Sequence, residues 1–194
     1  MKIIVGTPRS GTTFLTRWIH NENPTHAYLG EYFQPYYYPT GEDPYLVTTH
    51  RLSSLADLSV FKVHTGDELD QRVWDLLATK PVIIIRRRNI LDQILSFGIA
   101  NLNDIWVMYE GVQQYAYGTY ERKWFDYLVC RLRELDDRSK HLLIADEVYY
   151  EDLSLYPING VLPIKQNDIS LDEKLNIFSN ADEILRWYSE IAHV

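Results

Sequence analysis

The chemistry that can be read first lies in Gly6-Thr7-Pro8-Arg9-Ser10-Gly11-Thr12-Thr13. The spacing Gly6-x-x-x-x-Gly11 lets successive backbone N–H groups turn inward, and a helix opening at Thr12 would add its positive dipole end. Such a loop suits a phosphate-like or sulfate-like group. Loops of this spacing that serve ATP continue with lysine and then Ser or Thr. Thr12 and Thr13 stand there instead, so the lysine that reaches the β- and γ-phosphates is missing. That departure argues against ATP hydrolysis and against magnesium-dependent phosphoryl transfer. The cation inside the loop is Arg9, whose planar fork can hold a terminal oxyanion while Thr12 and Thr13 supply hydroxyls.

A second constellation is Arg86-Arg87-Arg88-Asn89, followed by Ser96 eight residues after Arg88. A guanidinium at the carboxyl end of a strand and a hydroxyl on the next helix can both reach a dianionic phosphate. Taken alone, three arginines in a row are more often a solvated charge run; beside the glycine loop the balance reverses.

These residues resemble the sulfotransferases that use 3′-phosphoadenosine 5′-phosphosulfate (PAPS). Pro8-Arg9-Ser10-Gly11-Thr12-Thr13 is similar to that family's first motif, and Arg88-Asn89 with Asp92 and Ser96 to its second, with Ile90 where the family usually has proline. The resemblance implies that Arg9, Ser10, Gly11, Thr12 and Thr13 hold the 5′-phosphosulfate and that Arg88 and Ser96 hold the 3′-phosphate. Gly30-Glu31-Tyr32-Phe33 resembles the segment that supplies the base in bacterial and heparan-type members. Phe61-Lys62-Val63-His64 resembles the segment whose histidine is the base in cytosolic ones. Glu31 is favoured and His64 stays open, with Lys62 expected to stabilise charge on the leaving phosphate. Tyr150-Glu151-Asp152-Leu153 looks like a further family segment, read as structural. The glycine-rich covering loop of many members is not visible, and Leu162–Asn167, with Lys165, is the candidate substitute.

The elements that must position these groups follow from periodicity. Lys2–Val5, Leu58–Val63, Pro81–Ile85 and His141–Ala145 read as buried strands. Helical spacing is expected over Thr12–Asn21, Asp67–Ala78, Ile90–Leu102, Tyr115–Leu135 and Leu171–Ile191. Residues 22–57, rich in Pro, Gly and Tyr, read as an irregular excursion whose Tyr28, Tyr32, Phe33, Tyr36, Tyr37, Tyr38 and Tyr45 could wall an acceptor. Strands alternating with helices imply a three-layer α/β/α domain of P-loop type with a mostly parallel sheet. One domain over residues 1–194 is expected, since no linker divides the chain.

A formal net charge of −8 disfavours a general nucleic-acid binder. The first apolar run is too short for a secretory signal, and no run approaches a membrane span. The single cysteine, Cys130, excludes an intrachain disulfide, fits a reducing cytoplasm, and reads as a buried small hydrophobe. The dispersed histidines suggest no metal site. The expected partners are the nucleotide donor and a small-molecule, lipid or carbohydrate acceptor. Two alternatives remain: a nucleotide kinase or NTPase with a degenerate loop, and a non-catalytic nucleotide-binding protein of the same fold.

Overall fold

The computed structural model describes residues 1–30, 43–54, 59–65, 69–104, 115–155 and 169–191. Glu31, most of the aromatic excursion and Lys165 lie outside the described residues. Contacts divide the chain into two compact units: Met1–Arg88 with Cys130–Pro163, and Asn89–Val129 with Ile164–Val194.

The first unit holds a five-stranded sheet in the order β2-β3-β1-β4-β5, formed by β1 (Lys2–Gly6), β2 (Ala27–Gly30), β3 (Ser59–His64), β4 (Pro81–Arg86) and β5 (Leu143–Tyr149). All neighbouring strands are parallel. Parallel strands are covered on both faces, and period-two alternation decides what each face meets. Ile3, Val5, Phe61, Val63, Val82 and Ile84 pack against Val73, Trp74 and Leu77 of α3 (Gln71–Leu77) and Leu135 of α5 (Arg122–Ser139). Ile4, Val60 and Ile85 on the opposite face pack against Leu15 and Ile19 of α1 (Thr12–Glu22) and against Leu153. The result is a three-layer α/β arrangement with an all-parallel sheet. After β1 the chain winds outward to β2, returns to β3, then crosses to β4 on β1's other side. The carboxyl end of β1 is therefore where the winding reverses, the usual crevice of such sheets.

Two elements sit inside the stretch expected to be irregular, β2 and α2 (Pro44–Ser54). β2 is a short, half-exposed edge strand with no apolar run to betray it. Pro44 opens α2 at the first helical position, where its missing N–H costs nothing, while the Asp43 carboxylate accepts the Tyr45 N–H at 2.9 Å. β5 extends past the expected end because its outer face is polar, and Arg86 pairs with Glu147 at 2.6 Å.

The second unit contains α4 (Ile90–Asn103), the N-terminal part of α5, α6 (Leu171–Leu175) and α7 (Ala181–Ile191). The helix expected from Tyr115 begins only at Arg122. Residues before it give their backbone hydrogen bonds away: Gly118 N–H donates to the Ile177 carbonyl at 3.0 Å and Ser179 N–H to the Gly118 carbonyl at 2.8 Å. Asn180 brackets Tyr120 by accepting its N–H and donating to its carbonyl. Tyr120 is fully buried, donates its hydroxyl to the Ile94 carbonyl at 3.1 Å and meets Phe178 edge-on. Ser170 and Glu173 form a reciprocal capping box at the start of α6. Cys130 is exposed rather than buried, because α5 turns Leu128 and Val129 inward and the next position outward. Among the described residues no helix is long and apolar enough to cross a membrane.

Ile84, fully buried between β1 and β5 on the α3 side, tests this packing. Ile84→Ala should lower unfolding free energy by about 2–5 kcal/mol in denaturant titration, whereas exposed Lys123→Ala should change it by less than about 0.5 kcal/mol.

Candidate functional site

The loop between β1 and α1 is shaped by backbone conformation. Arg9 has φ 62° and Gly11 φ 96°, so two left-handed residues flank Ser10, whose N–H donates to the Thr7 carbonyl at 3.1 Å. A non-glycine residue held at positive φ stores of order 1 kcal/mol, and such residues gather at functional turns. Gly11 is the N-cap of α1 and supplies no capping side chain, so the first-turn amides, which have no acceptor within the helix, remain directed out of its N-terminus. Ser10 is fully buried beneath the loop. Its Oγ lies 2.6 Å from where a Cβ on Gly6 would stand and has no hydrogen-bond partner among the described residues.

β3 brings the next groups. Parallel register sets Ile4 opposite Lys62 and Gly6 opposite His64, and alternation turns Lys62 and His64 to the face that carries α1. Lys62 is 6% exposed and donates from Nζ to Thr13 Oγ1 at 2.5 Å. His64 Nε2 and Thr12 Oγ1 are 2.7 Å apart. A lysine from the neighbouring strand thus reaches the end of a loop whose own cation is Arg9 and which lacks a lysine of its own. The end of β3 is pinned: Thr65 donates its N–H to the Gly6 carbonyl at 3.1 Å and its hydroxyl to the Arg131 carbonyl at 3.0 Å, while Arg131 donates back to the Thr65 carbonyl.

On the other side of β1 the three arginines have three different tasks. Arg86 is structural, bonded to Glu147 and Asp136 at 2.6 Å each and to Ser139 at 3.3 Å. Arg87 is buried, and its guanidinium sits 3.9 Å from the centre of the Tyr150 ring, which itself packs on Gly11. Arg88 forms a two-pronged pair with Asp152 at 2.6 and 2.7 Å, lies 4.4 Å from the Tyr149 ring centre, and gives its backbone N–H to the Glu151 carboxylate at 3.1 Å. The Asp152 bond raises the Arg88 guanidinium's pKa, and Arg88 holds the Asp152 carboxyl below the usual carboxylate range. The pair is exposed, so its net worth is small.

Ser96 belongs to the second unit, where its hydroxyl accepts from Lys174 Nζ at 3.2 Å and Lys174 is also bonded to Asp92. The structure therefore brings Thr12, Thr13, Lys62 and His64 together at the glycine loop of the first unit, with Arg9, Ser10 and Gly11 forming the loop itself. Glu31 lies outside the described residues. Of the aromatic stretch, Tyr28 is partly exposed and tilted against His20, while Tyr45 lies under Arg72 and packs on the core.

Sequence reasoning missed the parts of Tyr149, Tyr150 and Asp152 as partners of the arginines, and Lys174 as partner of Ser96. The register Arg86 to Tyr149 across β4 and β5 brings Tyr150–Asp152 beside Arg87 and Arg88. An acidic pair just after a strand, next to a basic run just after its neighbour, was the available signal. Nothing local marks Lys174, whose partners are remote in sequence. Comparison of the chain with protein-family models, with curated proteins and with solved structures finds no match.

Gly11 has no room for a side chain, since a Cβ there would stand 2.5 Å from Tyr150 Cδ2 at a φ of 96°. Gly11→Ala should cost about 1–3 kcal/mol in chemical unfolding. It should also abolish any anion binding at the loop measured by calorimetry on the folded variant.

Proposed function

We propose that the chain is a sulfotransferase that moves a sulfuryl group from PAPS to the hydroxyl of a small-molecule, lipid or carbohydrate acceptor. The observation that carries this reading is the convergence of Lys62 and His64 on the hydroxyls of Thr13 and Thr12, at a glycine loop whose own lysine is missing. The described strand ends bordering that loop offer ammonium, imidazole and guanidinium groups, which suit an anionic donor held by the protein's own cations.

In this reading Arg9, the α1 amides and the Thr12 and Thr13 hydroxyls hold the phosphosulfate. Arg88 and Ser96 are assigned to the 3′-phosphate. A base, Glu31 or His64, takes the acceptor hydroxyl proton as the acceptor oxygen bonds to sulfur. The bond from sulfur to the bridging phosphate oxygen breaks, and adenosine 3′,5′-bisphosphate leaves with the extra negative charge. Lys62 stabilises that charge as it develops. The role of the protein is mainly alignment and charge stabilisation, as in phosphoryl transfer. The exposed thiol of Cys130 and the absence of any other cysteine suit a reducing cytoplasm, where we assign the reaction.

Calorimetry tests the donor: adenosine 3′,5′-bisphosphate should bind tightly and ATP much more weakly, and ATP binding as well or better would sink the assignment. Arg88→Ala should weaken the bisphosphate far more than 5′-AMP. Lys62→Met should lower sulfuryl transfer by roughly 10²–10³-fold while donor affinity falls much less, a kcat effect rather than a KM effect. Glu31→Gln should keep donor binding and lose about 10²–10⁴-fold in transfer, and retained turnover would move the base to His64.

A further inference from the structure

Asp152 occupies the fork of Arg88 in the same two-pronged geometry that arginine offers a phosphate, with N···O distances of 2.6 and 2.7 Å. We infer that Asp152 is a displaceable internal counter-ion, a specificity-determining residue that sets how tightly Arg88 holds a phosphate-bearing nucleotide and how readily it releases one. The inference rests on the proposed role of Arg88 in binding the 3′-phosphate.

Three observations support displacement over a fixed structural bridge. The pair is exposed, at 53% for Arg88 and 37% for Asp152, so separating it leaves no buried charge behind. Arg86, two residues earlier, shows the contrasting case: its side chain is 22% exposed and tied at once to Glu147, Asp136 and Ser139. Arg88 also has holds besides Asp152: the Tyr149 ring lies 4.4 Å from its guanidinium carbon and the Glu151 carboxylate accepts its backbone N–H. With Arg88 bonded to it, Asp152 is ionised at neutral pH and remains a full competitor.

A ligand that uses Arg88 must break this pair first, so its apparent affinity is reduced by the fraction of time Arg88 is unpaired. A ligand that does not use Arg88 meets no such cost. The sign is the useful part. If Asp152 only oriented Arg88 for the ligand, removing its charge would weaken binding; if it competes, removal strengthens it.

Asp152→Asn decides between them. Titrated by calorimetry, the variant should bind adenosine 3′,5′-bisphosphate roughly two- to fivefold more tightly, the range an exposed ion pair allows, with 5′-AMP affinity unchanged. Stopped-flow dissociation of the bisphosphate should slow by a similar factor, and the thermal melt should barely move. Weaker or unchanged bisphosphate binding overturns the inference. So does an equal gain for 5′-AMP, or a gain that persists with Arg88→Ala, since either would reflect a general loss of negative charge. If the unaltered protein gives no heat with the bisphosphate, the sulfotransferase reading falls. NMR titration of the Arg88 Nε–H with inorganic phosphate then judges Asp152 alone: tighter phosphate binding in Asp152→Asn upholds the inference, and equal or weaker binding overturns it.

Discussion

Parallel pairing puts Ile4 of β1 opposite Lys62 of β3 and Gly6 opposite His64, and side-chain alternation sends both β3 groups to the face that α1 covers. A one-residue slip would instead turn Phe61 and Val63 towards the threonines and bury Lys62 and His64 against α3. The hydrophobic requirement guards against that slip. Phe61 and Val63 are fully buried among Val73, Trp74 and Leu77, and a one-residue shift would take them off that face. Core packing on one face therefore fixes the chemistry on the other. The Lys62 side chain, almost wholly buried, gives one of its three donors to the Thr13 hydroxyl.

The glycine loop adds the second constraint. Gly6 and Gly11 are both places where a methyl group would collide, with Ser10 and Thr12 in the first case and Tyr150 in the second. The loop is thus packed from below by its own serine and from the side by the segment after β5. Such packing can hold Arg9 in a left-handed conformation that few non-glycine residues adopt.

Much of this was legible in the residues themselves. Short apolar runs marked β1, β3 and β4, with Gly6 closing the first and Pro81 opening the last, and the order strand, glycine loop, helix located the turn of the winding. Lys62 and His64 stand out through the resemblance of Phe61-Lys62-Val63-His64 to a segment of a known family, at the end of an expected strand. Elements whose signal is tertiary were harder. β2 and the outer half of β5 are exposed edges without an apolar run, and residues 115–121 have helix-like patterning, but Gly118, Thr119 and Tyr120 spend their hydrogen bonds on residues 177–180. For the same reason the separate tasks of Arg86, Arg87 and Arg88 were hidden: each depends on a partner about 50 to 65 positions away.

The 3-10 turn Tyr150–Leu155 joins these parts in one mechanical unit. Its first residue closes against Gly11 and stacks on Arg87, its third grips Arg88, and its fourth, Leu153, is anchored in the core beneath α1. The turn therefore acts as a clasp: the packing against the glycine loop and the pairing of Arg88 hang on near-consecutive residues of one short segment with a single buried leucine as its anchor.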